Sequence, residues 1–306
     1  MRVAAILKTI SADIAHHSQN ELFDLSHLSA LQVIGARGSE FLQGQITCDL
    51  REVNAVKMQA AAFCGVNGRI LALMDVIDWH GLYLILPDDL CAPIQSSMSK
   101  AALFSQVQIV KSDKWRAFGL KLNLLGSKSP LDTPFPLEKN GMISGKEYCC
   151  YHLYDDFYMI LINTDAVELI LELFSQASWS MCSALSWHDL QIQARRAKIY
   201  PESRGMFFPH RIGLQHTDHI SFNKGCYRGQ EIIARMHYRA QLKHELRVIT
   251  IEFTGEIIIG QALTRPVTHE KIGLVIDYCR FDQNKCRLLI SLQINYTGEI
   301  SLGLAG

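Results

Sequence analysis

Apolar residues recur at every second position over much of the chain, and this alternation predicts strands first. Leu31-Gln32-Val33-Ile34 reads as a strand, and Ser39 as the N-cap of a short helix carrying Phe41, Leu42 and Ile46. Gln59 to Val66 and Arg69 to Asp78 flank Asn67-Gly68, a dipeptide suited to a tight hairpin turn. A second turn at His80-Gly81 leads into Leu82 to Leu86, and Asp88-Asp89 then opens a helical stretch to about Ser105. Val107 to Val110 and Arg116 to Leu122 read as further strands.

Gly126 to Pro136 has the residues of a loop, and the pattern partly repeats beyond it. Tyr151 to Tyr154, a turn at Asp155-Asp156 and Phe157 to Ile162 make a hairpin, with Thr164-Asp165 capping a helix from Ala166 to Ala177. Two hairpin-plus-helix units imply a split α+β sandwich, ferredoxin-like in outline, within residues 60–180. Ser183 to Lys198 has the spacing of an amphipathic helix, with Arg195-Arg196 near its C-terminal end. Residues 199–222 show no periodicity, and so long a stretch inside a compact chain is usually functional or disordered. Its aromatic and basic residues argue against disorder. From Leu242 onward the pattern is all-β: Leu246 to Phe253, Ile257 to Leu263, Ile272 to Tyr278 and Arg287 to Ile294, the outline of a small barrel. The division expected is an α+β region over 1–240, built of two interleaved domains, and a β-barrel over 241–306.

The chain of 306 residues is long enough for two or three domains. It has no apolar run of membrane-spanning length, and Met1 to Lys8 turns polar too soon for a secretory signal. Nine scattered cysteines include no Cys-x-x-Cys pair, which points away from a disulfide frame or thiolate zinc site and towards a reducing cytoplasm. The formal net charge is zero, yet Arg195 to Arg247 holds eleven Lys or Arg against four Asp or Glu. Such a local excess suits a specific anionic ligand or a docking surface better than general nucleic-acid coating. The adjacent His16-His17 pair has no shared helix face and reads as surface. No P-loop, His-Glu-x-x-His or Gly-x-Gly-x-x-Gly is present.

The candidate chemistry centres on Phe222-Asn223-Lys224-Gly225-Cys226-Tyr227-Arg228-Gly229-Gln230-Glu231, which runs into a helix from Gln230. Nearby cations and helix-terminal amides both stabilise a thiolate, making Cys226 a candidate reactive cysteine; the alternative is a small apolar residue filling a turn. A cysteine-protease reading needs a histidine base at the sulfur, which the nearby His210, His216, His219 and His237 do not establish by sequence.

Lys224-Gly225-Cys226-Tyr227-x-Gly229-Gln230-Glu231 resembles the signature of the YgfZ family, folate-binding relatives of the glycine-cleavage T-protein. Phe41 to Asp49, Asn67 to Leu71 and Pro209 to Phe222 extend the likeness, which covers roughly residues 22 to 300. The resemblance implies a T-protein-like ring of three domains around a central folate channel. It also implies an accessory role in assembling or repairing iron–sulfur clusters in selected enzymes, including tRNA-thiolating ones. Tetrahydrofolate or another folate is then the expected cofactor, and iron–sulfur enzymes or their assembly machinery the expected partners.

A folate needs apolar or aromatic walls for its rings and cations for its carboxylates. Phe207, Phe208, Phe222 and Tyr227 are candidates for the first, and Arg196, Arg204, Lys224, Arg228 and Arg235 for the second, with Gln230 and Glu231 shaping the turn. Two departures stand out. The T-protein aspartate after the glycine turn falls on Ala72 or Leu73, with Asp75 a pleat later, and Gly213 stands where asparagine is expected. The first speaks against a plain aminomethyltransferase, although a folate-dependent one-carbon transferase stays as an alternative. An RNA-docking module using residues 195–247 is a second alternative, without folate and without a membrane.

Overall fold

In the computed structural model the described residues are 19–123, 128–239 and 243–303. The expected leader reading, the His16-His17 pair and the Gly126 end of the loop lie outside them. The described chain opens with β1 (Glu21–Asp24) and β2 (Leu28–Ile34), then a short helix α1 (Gly38–Gln43). Next come β3 (Gln59–Cys64), β4 (Ile70–Asp78), β5 (Leu82–Pro87), helix α2 (Asp88–Phe104) and β6 (Gln108–Ser112). They form a five-stranded antiparallel sheet of order β3-β4-β5-β2-β6.

The chain then crosses to a second sheet through β7 (Trp115–Lys121), β8 (Met142–Ser144), β9 (Tyr148–Tyr154) and β10 (Phe157–Asn163). Helix α3 (Val167–Gln176) and β11 (Ser180–Cys182) follow, giving the order β11-β1-β7-β10-β9-β8. The two hairpin-plus-helix units are both present, β4-β5-α2 and β9-β10-α3, and each stands in its own sheet. Both faces of β10 are buried, which explains its unbroken apolar run: Met159 and Leu161 pack towards the first sheet, while Ile160 and Ile162 pack beneath α3. The Cys149-Cys150 pair divides in the same way, one thiol into each core.

Helix α4 (Ala184–Gln193) starts as expected, with Ser183 Oγ accepting from the Ser186 amide, but it is shorter than its sequence pattern. It ends in paired bonds, from the Arg195 amide to Ile192 O and from the Arg196 amide to Gln191 O. Arg195 has φ +57°, a left-handed position usually taken by glycine in this helix ending. The Arg195-Arg196 pair therefore leaves the helix. Residues 199–222 are ordered without periodicity, in three short 3-10 turns anchored by buried Ile199, Tyr200, Phe207, Ile212, Leu214 and Ile220. These anchors join the first sheet's core to that of the third.

Helix α5 (Gln230–Arg239) precedes the last sheet, made of β12 (His244–Glu252), β13 (Ala262–Thr264), β14 (Lys271–Arg280), β15 (Lys285–Gln293) and β16 (Ser301–Leu302). Its order, β12-β15-β14-β13-β16, leaves β12 and β16 as its two edges among the described residues. Of the strand expected over Ile257 to Leu263 only Ala262–Thr264 forms; Ile257 to Gly260 is irregular, anchored by buried Ile257 and Ile259 with Ile258 exposed. A buried network ties α4 to this sheet: His188 Nε2 lies 3.0 Å from Asp277 Oδ2, and Tyr200 OH reaches both residues. No helix among the described residues is long and apolar enough to cross a membrane.

Candidate functional site

A cavity lies where the first two sheets, the start of α2 and residues 195–219 meet. Met58, Leu73, Ile85, Tyr154, Met159 and Trp187 give it apolar walls. On β4 the odd residues Leu71, Leu73 and Asp75 share one face, because side chains alternate along a strand. Leu73 and Asp75 both line the cavity, whereas Ala72 turns into the core of the first sheet. Asp75 thus reaches the same face as Leu73, a single pleat further along.

Burial pushes the Asp75 carboxyl up to about 6, although the Tyr151 hydroxyl, donating to Oδ2 at 3.0 Å, acts in the opposite direction. Asp89 also lines the cavity, and burial raises its pKa too. On the opposite wall the cations are Arg195, Arg196 and Lys198. The Arg196 guanidinium lies 4.1 Å from the centre of the Tyr154 ring, and Tyr154 OH donates to Gln191 Oε1 at 2.6 Å. Burial lowers Lys198 to about 8, leaving it mostly charged at neutral pH. No carboxylate among the described residues forms an ion pair with any of the three. Lys139, also in the wall, is different: it is paired with Asp218 at 2.5 Å. His27 and His219 are held neutral by burial, pushed to about 3 and about 4.

None of Lys224 to Glu231 lines this cavity, although the groove at Phe222 and Asn223 shares Lys139, Asn140, Thr217 and Asp218 with it. Lys224 is buried, and its ammonium donates to Ile46 O and Cys48 O. Burial brings it down to about 8. Tyr227 is buried beneath that ammonium at 5.2 Å, and its amide donates to Gln230 Oε1, which closes the turn into α5. Arg228 donates to Ser97 O at 3.3 Å and lies 5.1 Å from the centre of the Phe63 ring. Glu231 is exposed on the first turn of α5. Gly229 has φ +81°, and a Cβ there would stand 2.5 Å from Gly65 O, so the loop is seated directly on the Asn67-Gly68 turn. Cys226 is exposed at the tip of this braced loop.

Of the site residues expected from sequence, Arg196 lines the central cavity. Phe222 stacks on His237 with ring centres 3.7 Å apart and lines a shallower groove with Asp49 and Asn223. Phe208 lies under the Arg69 guanidinium, 4.4 Å away. Lys224, Tyr227, Arg228, Gln230 and Glu231 stay with the cysteine loop. Sequence reasoning missed Lys198, Tyr154 and Gln191, none of which stands in a motif. The basic stretch also does not form one open face: Lys224 is buried, and Arg204 and Arg228 reach back to residues of α2. Gly213 adopts φ +73°, a conformation that asparagine also tolerates, so its departure from the expected residue keeps the same backbone. Among the described residues no cluster of three His, Cys, Asp or Glu is arranged to hold a metal ion.

No family model matches the chain. It is 25% identical over 291 residues to the tRNA-modifying protein YgfZ of Colwellia psychrerythraea, covering 89% of this chain and 85% of that one. It is 28% identical over 233 residues to the protein of the same name from Sodalis glossinidius, covering 75% and 71%. Among solved structures, the glycine cleavage system aminomethyltransferase T of Bartonella henselae superposes with a TM-score of 0.69 at 13% identity, over 91% of this chain and 80% of that one. The YgfZ likeness read from the cysteine motif therefore extends over most of the chain, and the fold is that of the T-protein, α+β with a curled C-terminal sheet forming a half-barrel.

Proposed function

We propose that the central cavity binds a reduced folate, tetrahydrofolate or a close relative. The chain then serves as an accessory protein in assembling or repairing iron–sulfur clusters of selected enzymes, and through them in tRNA modification. The observation that carries the ligand reading is the pairing, in one apolar cavity, of desolvated Asp75 with Lys198 and with Arg195 and Arg196, two arginines that form no ion pair among the described residues. A pteridine presents adjacent N–H donors along one edge, which suit a carboxylate, while its glutamyl end needs cations. The aryl ring between them suits the wall formed by Tyr154 and Trp187.

Cys226 is the proposed thiol partner for a client, standing outside the cavity on a braced loop. The names of the relatives support the tRNA-linked role. A second reading, a folate-dependent one-carbon transferase, draws on Asp75, whose raised pKa suits proton handling near neutral pH. Turnover with tetrahydrofolate and an aminomethyl donor, lost in Asp75→Asn, is its test.

Thermal melts with and without tetrahydrofolate test the cavity reading. Ligand at a hundred times its Kd stabilises by about 2.7 kcal/mol, and that shift should survive moderate salt. Lys198→Met should weaken binding at least tenfold. An unchanged melt removes the folate reading, and RNA binding that falls steeply with salt would favour a nucleic-acid surface.

A further inference from the structure

Lys198 and Tyr200, two residues apart, both line the central cavity, yet the Tyr200 hydroxyl joins the buried network behind it. It lies 2.9 Å from His188 Nε2 and 3.2 Å from Asp277 Oδ1, on two side chains that are each 1% exposed. His188 comes from α4, beside Trp187, which lines the cavity. Asp277 comes from the third sheet, no residue of which lines the cavity.

Strand β14 prepares this contact. Its register with β15 shifts between Val275 and Asp277, leaving Ile276 as the extra residue of a bulge, and bulges re-aim the side chains beside them. Three donors converge on the Asp277 carboxylate: His188 at 3.0 Å, the Tyr200 hydroxyl, and the Tyr278 amide at 2.8 Å. A carboxylate only accepts, so the proton of the first contact sits on His188 Nε2, and Nδ1 is left without a hydrogen-bond partner among the described residues.

A buried carboxylate is costly unless it is hydrogen-bonded and its charge is answered, and apolar residues of similar size often hold a core together as well. The hydrogen bonds are present here. The answering charge is Lys198: burial brings its ammonium down to about 8, and the charge of Asp277 acts against that fall.

We propose that Asp277 is a positioning residue for the central cavity: through Tyr200 and Lys198 it fixes the wall at residues 198–200 and keeps an ammonium facing the ligand. The third sheet thus takes part in binding an anionic group that it never touches. That the anion is a folate carboxylate rests on the reading above.

The pH dependence of binding separates this role from simple packing. Around Lys198 stand Asp277 and Cys279 from β14, His188 from α4 and His27 from the turn between β1 and β2. Arg195 and Arg196 share its wall, and Asp75 faces them. Burial pushes Cys279 and Tyr200 well up, holds His27 at about 3 and sets Asp75 at about 6, so none of these four has its midpoint between pH 7 and pH 9.

Calorimetric titration of the full chain with tetrahydrofolate across that range is the test. Native affinity should fall as pH rises through about 8, because the charged ammonium is what holds the anion. Asp277→Asn should move that fall about one pH unit lower, so its deficit should grow from about twofold at pH 7 to about eightfold at pH 8.5. Asp277→Leu, the kind of apolar replacement that buried ionic sites tolerate, should do the same and serves if Asp277→Asn does not fold. Lys198→Arg, whose charge does not titrate here, should remove the fall in both backgrounds. A deficit of equal size at every pH overturns the proposal and leaves Asp277 a packing residue, as does a native affinity that stays flat across the range. Absence of binding at every pH removes the folate reading, and the proposal with it.

Discussion

The central cavity and the cysteine loop use charged residues in opposite ways. In the loop, each charged or amide side chain of the motif turned inward is tied to backbone: Lys224 to two carbonyls, Arg228 to Ser97 O and Gln230 to the Tyr227 amide. In the cavity, Arg195 and Arg196 form no ion pair among the described residues, Lys198 has only the charge of Asp277 near it, and Asp75 has only a tyrosine hydroxyl. Backbone ties give the loop its shape, although Tyr227 OH and Arg228 Nε remain unbonded there, whereas the cavity groups face an open hollow. The motif that dominates the sequence is thus a brace that presents one thiol, and the ligand chemistry proposed for the cavity draws on residues with no motif at all.

Gly229→Ala should test that contrast most severely. The alanine meets Gly65 O at 2.5 Å and must hold φ +81°, so overpacking and left-handed strain add. A loss of about 2–4 kcal/mol in denaturant stability is expected. Gly225→Ala, with nothing within 4 Å of its new methyl, should change stability by less than about 0.5 kcal/mol. Equal effects at the two glycines would mean the loop is not braced, and the contrast would fail.

This contrast also shows what the sequence made legible. The hairpin at Asn67-Gly68, the start of α4 and most C-terminal strands follow from local pattern, because turn residues and alternation are local signals, whereas Ser39, expected as a cap, lies inside α1, which begins at Gly38. The cavity does not, because Asp75, Tyr154 and Lys198 come from three separate segments that only the packing of two sheets brings together. Arg195-Arg196 was visible as a basic pair, yet its reading as a helix end hid the left-handed turn that places it on the cavity wall. Cys226 could be singled out by its motif, and it is the exposed one among the described cysteines. That Lys224 points inward was not legible, since a buried lysine and a solvated one have the same sequence signature.

Asp75→Asn probes the cavity side, through pH. The folded-state pKa of Asp75 is raised to about 6 by burial, so its contribution to stability is fully present below about pH 4 and lost as pH rises through 6. Asparagine has no charge to desolvate. The stability of Asp75→Asn relative to the native chain should therefore rise by on the order of 2 kcal/mol between pH 4 and pH 7. Parallel denaturation curves across that range would show that the carboxyl is solvated, and the cavity would lose the desolvated acid that sets it apart from the loop.

The smallest expected effect is at the thiol itself. Cys226 is exposed and makes no hydrogen bond or ion pair among the described residues, so Cys226→Ser should shift stability by less than about 0.5 kcal/mol. Because none of Lys224 to Glu231 lines the cavity, the Kd for tetrahydrofolate should also stay within twofold. What should disappear is recovery of an iron–sulfur-dependent enzyme when the purified chain is added to an extract lacking it. A tenfold loss of folate affinity in Cys226→Ser would join the two regions into one site, since a serine hydroxyl fills nearly the same space as the thiol and only direct participation of the sulfur would then account for the change.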